Sequence, residues 1–163
     1  AVSCGLSLDS FTPDEAEDEA EALAWLATQG VAAEEGALLL RAAGGRPAEA
    51  LALAQTKGSA QSWAQLPRAL ARGDTAALAD LPLAEAVSRL QKLCHDLLAL
   101  QSGATPRFFA AADLPAQPLS AAALGRWWQQ LGRSARTAEH PLNPGLAAEF
   151  LVSSARQALH SRR

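Results

Sequence analysis

The chain has 163 residues, a formal charge of −3, two cysteines and 49% apolar residues, with no Met and no Tyr. That length suffices for one helical domain or two small ones. No apolar run approaches the roughly eighteen residues of a membrane-spanning helix, and the first residues lack the basic-then-apolar order of a signal peptide.

Much of the apolar content is Ala and Leu with few β-branched residues, a composition that favours helix over sheet, so an all-α fold is expected. Cys4 and Cys94 are widely separated, which suggests neither a disulfide framework nor a metal knuckle; a reducing, cytoplasmic setting fits best. The absence of Met even at position 1, together with the strand-like texture of AVSCGLSL, points to a piece cut from a longer protein; removal of an initiator Met would account for the same fact. The small net charge conceals an asymmetry. Residues 1–57 carry ten acids against three bases, a balance of −7, and residues 58–163 carry eleven bases against seven acids, a balance of +4. That shift places a domain boundary near Gly58, and the positive charge beyond it is too diffuse to mark a nucleic-acid site by itself.

In chain order, FTPDEAEDEAEALAWLATQG is the first helix signal. Thr12 caps, Pro13 takes the first helical position, and the acids from Asp14 to Glu21 suit the positive end of the helix dipole rather than a metal. Leu23, Trp25 and Leu26 supply its apolar content and Gly30 ends it. A second short helix runs over Ala32–Ala43 with Leu38, Leu39 and Leu40, stopped by Gly44 and Gly45. Pro47 opens a third, PAEALALAQT. The two glycines do not make a phosphate loop, because no Gly-Lys-Ser/Thr follows them; they read as a tight αα corner.

Lys57 and Gly58 then form a linker. A helix over Ser59–Arg72 buries Trp63, Leu66 and Leu70 despite Pro67. A short helix follows with Leu78 and Leu81, and Pro82 opens the longest, to Ser102. Its apolar stripes, Leu83, Val87, Leu90, Cys94, Leu97 and Ala86, Leu90, Leu93, Leu97, Leu100, span a face wide enough for the centre of a bundle. Glu85, Ser88, Arg89, Lys92, His95 and Asp96 make the strip expected to face water or a neighbour. Cys94-His95-Asp96 cannot act as a catalytic triad, since consecutive helical residues point about 100° apart; Cys94 reads as a buried thiol beside a surface His. From Gly103 to Leu119 the pattern breaks at Pro106, Pro115 and Pro118, and Phe108-Phe109 is expected to pin this loop to the bundle.

The last stretch, Ser120–Arg162, reads as a helical hairpin. Leu124, Trp127, Trp128, Leu131 and Ala135 fall on one face of its first helix, and Arg126, Gln129, Gln130, Arg133 and Arg136 on the other. A His140-Pro141-Leu142-Asn143-Pro144 turn, with Asn143 as N-cap, leads to a helix expected to bury Leu146, Phe150, Leu151, Ala155 and Leu159. The stripe Arg126, Gln129, Arg133, Arg136 is the candidate subunit interface, since Arg pairs with carboxylates while its stem covers apolar area. No catalytic, cofactor-binding or metal-ligating constellation stands out.

Several strings together resemble the delta-prime subunit of the clamp loader of bacterial DNA polymerase III. They are AWLATQG, AAGGRPAEALALA, PRFF and HPLNPGLAAEF, in an order that covers nearly the whole chain and is weak only at residues 1–12. The resemblance implies the end of a helical lid domain over 1–57 and a helical collar domain over 58–163. Related ATP-binding loader subunits carry a sensor Arg where Ala48 stands here, so the resemblance implies a subunit without catalysis or cofactor. It implies as partners the gamma/tau-type and delta-type subunits, with the sliding clamp and primed DNA reached only through the full complex. The family's nucleotide-binding-like domain has no counterpart in this sequence. A stand-alone helical adaptor or DNA-binding module is the alternative.

Overall fold

The computed structural model describes residues 19–55, 59–79, 81–137 and 144–162. The protein is all-helical: α1 (Glu19–Thr28), α2 (Ala33–Ala42), α3 (Pro47–Ala54), α4 (Ser59–Ala71), α5 (Ala76–Ala79), α6 (Leu83–Gln101), α7 (Ala121–Thr137) and α8 (Pro144–Leu159), with a 3₁₀ turn at Ala111–Asp113. No helix among the described residues is long and apolar enough to cross a membrane. The Thr12 cap, the Lys57-Gly58 linker, Cys4 and the His140 turn lie outside the described residues.

The chain separates into two compact units between Trp63 and Ala64. That point lies inside α4, a few residues beyond the charge shift at Gly58, because α4 runs on through it as one helix.

In the first unit α1, α2 and α3 all pack on one another around Ala22, Leu26, Val31, Leu39, Leu40, Ala43 and Ala50. Their corners are set by sequence. After α1, Gly30 takes φ +88°, its N–H bonds to the Ala27 carbonyl at 3.0 Å, and the Val31 N–H reaches back to Leu26 at 3.1 Å. That pair of bonds is a Schellman stop, which favours Gly because a left-handed φ crowds a Cβ. Gly44 and Gly45 end α2 in the same way, with Gly44 bonded to Arg41 and Gly45 to Leu40, both at 2.9 Å. Pro47 then occupies the first turn of α3, where its missing N–H costs nothing. Arg46 donates from Nε to the Ala43 carbonyl at 3.1 Å and forms an ion pair with Glu49, so its guanidinium is spent on the corner itself.

The second unit is built on α6, which packs against α7 and α8, while α8 also touches α7 and α5. Ala86, Val87, Leu90, Leu93, Cys94 and Leu97 are buried, so both expected apolar stripes of α6 face the interior; Leu83 and Leu100 at its ends are only partly covered. Trp63, Leu66 and Leu70 are buried along α4, and Pro67 is accommodated within the helix.

Three expectations are corrected. Asp96 does not belong to a solvated strip but is fully buried. On α7, Trp127 is buried whereas Trp128 is 42% exposed and Ala135 is exposed; neighbouring helical positions diverge by about 100°, so both indoles cannot face the core. On α8 the buried residues are Leu151, Val152, Ala155, Ala158 and Leu159, while Leu146 and Phe150 stand 62% and 51% exposed.

Candidate functional site

The loop between α6 and α7 is held by one side chain. Asp96 Oδ1 accepts the Arg107 N–H at 2.9 Å, and Oδ2 accepts the Phe108 and Phe109 N–H groups, each at 2.8 Å. Three successive amides converging on a carboxylate form a nest that offsets the cost of burying its charge. The His95 Nδ1–H donates to Oδ1 at 3.1 Å from the solvent side. Phe109 is driven into the core at 1% exposure, so of the pair expected to pin the loop only this ring is fully buried. Further along, the Leu119 N–H bonds to Gln101 Oε1 at 3.1 Å, and Arg68 donates to the Ala112 carbonyl at 3.3 Å.

Phe108 stays half-buried above this clamp. Lys92 Nζ lies 5.4 Å and Arg107 Cζ 5.5 Å from its ring centre, and the His95 ring meets it edge-on at 5.4 Å. Arg107 is therefore accompanied by two further basic side chains that the linear sequence keeps apart.

Cys94, next along α6, points the other way. It is buried, and its thiol donates to the Leu124 carbonyl of α7 at 3.4 Å. Burial pushes its pKa up to about 12, so the neutral thiol is the species present at neutral pH. Iodoacetamide at pH 8 should modify Cys94 far more slowly in the folded protein than in urea, read site by site by mass spectrometry; equal rates would contradict its burial. Because the folded pKa is raised from 9.0, this group's contribution is complete below pH 9 and is lost as pH rises toward 12. The slope is about 1.4 kcal/mol per pH unit, and it should disappear in Cys94→Ala.

The terminal hairpin carries the remaining candidates. Ser120 caps α7 by accepting the Ala123 N–H on its hydroxyl at 3.1 Å. At the other end of the hairpin, His160 Nε2–H donates to the Ala71 carbonyl at 2.8 Å and anchors the end of α8 to α4. Arg126, Gln129, Arg133 and Arg136 are all exposed, as expected. On α7 they fall within about 80° of arc, at three- and four-residue spacing. Arg126 and Arg133 stand with Gln130 on a groove of about 640 Å³ between α7 and α8, whereas Gln129 and Arg136 are not among its lining residues. The other wall consists of Ser154, Gln157 and Ala158 of α8 with His160 and Ser161 just past its end, and the lining also includes Trp127 and Ala123. These residues were not singled out in the sequence, although Ser154 and Gln157 of α8 stand at helical spacing and could have been found that way.

No group of three or more His, Cys, Asp or Glu among the described residues is placed to hold a metal. No family model, curated protein or solved structure matches the chain.

Proposed function

We propose that the chain is a non-catalytic structural subunit of a bacterial replicative clamp loader, of the delta-prime type, within the DNA polymerase III holoenzyme. The observation that carries this reading is the distribution of exposed apolar bulk. Among the described residues, Trp128, Leu146 and Phe150 are the large apolar side chains left in solvent, and all three lie on the terminal hairpin. Isolated exposed apolar residues are ordinary, but large ones gathered on one supersecondary element favour a protein–protein surface. Trp128 and Phe150 stand on different helices, which suits a ring subunit with a neighbour on each side. The strings AWLATQG, AAGGRPAEALALA, PRFF and HPLNPGLAAEF support the particular assembly. In this reading the collar joins gamma/tau-type and delta-type subunits, and the full complex uses ATP elsewhere to place the sliding clamp on primed DNA.

Charge reversal provides the test. Arg126→Glu with Arg133→Glu should leave helicity and melting unchanged, since exposed substitutions cost within about 0.5 kcal/mol. Association with the other loader subunits in sedimentation velocity should weaken about tenfold or more, roughly 1.4 kcal/mol. Unchanged association would remove these arginines from the interface.

A nucleic-acid-binding module is the second reading, favoured by Lys92, Arg107 and His95 around Phe108. It requires the isolated chain to bind single-stranded oligonucleotide in a salt-dependent way.

A further inference from the structure

The α7–α8 groove combines three properties that specify an occupant. Its fixed charge has one sign: Arg126 and Arg133 line it, and among the described residues no carboxylate does. The remaining polar lining, Gln130, Ser154, Gln157 and Ser161, supplies neutral amides and hydroxyls. Among the described residues, no carboxylate pairs with Arg126 or Arg133, whereas Arg68, Arg46 and Arg89 each lie against one.

The second property is an unmet donor. Trp127 is 3% exposed and forms part of the groove floor, and its indole Nε1–H has no acceptor among the described residues. A buried donor left so is unfavourable, and an acceptor brought by a ligand would recover that loss.

The third is shape along α8. Ser154 and Gln157 share a helical face with Phe150 and Leu146, since these positions follow three- and four-residue steps. The polar wall of the groove therefore runs on into the exposed apolar pair. A nucleic-acid strand could meet the two guanidinium groups but offers no aliphatic face to Phe150 and Leu146. An acidic amphipathic helix offers both. Arg126 and Arg133 are two turns apart on α7, about 10.5 Å along the axis, the same rise that separates residues seven apart on any facing helix.

We propose that this groove seats an acidic amphipathic helix of a partner protein, with two carboxylates two turns apart on Arg126 and Arg133 and its apolar side on Phe150 and Leu146. The helix-in-groove mode needs no rearrangement of the hairpin, and bidentate pairing fixes its register. The proposal rests on the reading of the hairpin as a partner-facing surface and adds the chemistry of what docks there.

The probe is a fluorescein-labelled helical peptide with two glutamates seven residues apart and leucines on the adjoining face, titrated into the full chain by anisotropy. Saturable, salt-sensitive binding is expected. It should weaken at least tenfold for Arg126→Glu with Arg133→Glu, about 1.4 kcal/mol, and also for Phe150→Ala. Arg126→Gln with Arg133→Gln serves as a second variant with no introduced repulsion and should also weaken binding. In ¹⁵N NMR the Trp127 indole resonance, assigned through Trp127→Phe, should move downfield on binding. Equal binding of the peptide with glutamines in place of glutamates would overturn the proposal. So would unchanged binding by the folded charge-reversed chain, or displacement of the peptide by inorganic phosphate or a short oligonucleotide at lower concentration, which would make the groove a phosphate site. Sedimentation with loader subunits separates the two levels. Assembly without peptide binding overturns the groove proposal alone, and peptide binding without assembly overturns the loader reading alone.

Discussion

Asp96→Ala is expected to destabilise the helical unit that begins at Ala64 by about 3 kcal/mol or more. The substitution removes the acceptor shared by the N–H groups of Arg107, Phe108 and Phe109, of which Phe109 is buried and the other two part-buried; a buried donor left without an acceptor costs about 1–3 kcal/mol, and a part-buried one less. The three losses share one carboxylate, so they do not simply add. A change of that size is a large part of a domain's stability, and the urea midpoint should fall clearly below that of the unaltered chain. Asp96→Asn keeps one acceptor oxygen but turns an NH₂ toward a backbone donor, so its cost should lie between the two. The loop should respond before the bundle does: amide exchange at Arg107, Phe108 and Phe109 should accelerate most. A cost under about 0.5 kcal/mol for the alanine variant, typical of surface changes, would contradict the clamp.

Trp128→Ala and Phe150→Ala carry the second large effect, and it falls on assembly rather than folding. Trp128 is 42% and Phe150 51% exposed in the isolated chain, so truncation removes little from the core. At a protein interface the same side chains would be covered, and aromatic residues at the centre of such contacts are the commonest hot spots. Each variant should reduce association with loader subunits by about 2 kcal/mol, some thirtyfold, with melting almost unchanged. If both bind partners as the unaltered chain does, the exposed apolar bulk of the hairpin has some other purpose.

The fold was legible where local chemistry decides it. Gly30, Gly44 and Gly45 sit at helix stops whose left-handed φ they permit, and Pro47 and Pro144 stand at the first positions of α3 and α8. The apolar stripes of α6 marked its buried face because a central helix is covered over a wide arc. Periodicity failed where it was stretched too far. Leu146, Phe150, Leu151, Ala155 and Leu159 span more than half the circumference of a helix at about 100° per residue, and only part of that arc meets neighbours. The Val152 and Ala158 positions complete the narrower face that is in fact covered.

Asp96 was hidden for a different reason. Its partners are backbone amides eleven to thirteen residues onward, which leave no mark on side-chain pattern. A carboxylate on a helix flank therefore reads as solvated until the loop is placed. The basic cluster at Phe108 and the groove at Arg126 are likewise products of tertiary placement. Lys92 and Arg107 come from either side of the turn after α6, and the groove takes one wall from each of two helices.

Reconstitution is the most direct test of the assembly reading. The full chain is mixed with gamma/tau-type and delta-type loader subunits from the same source and followed by sedimentation velocity. A stoichiometric complex containing this chain, held together without ATP hydrolysis by it, is the expected result. A chain that sediments alone at micromolar concentration beside a fully assembled partner set would contradict the account.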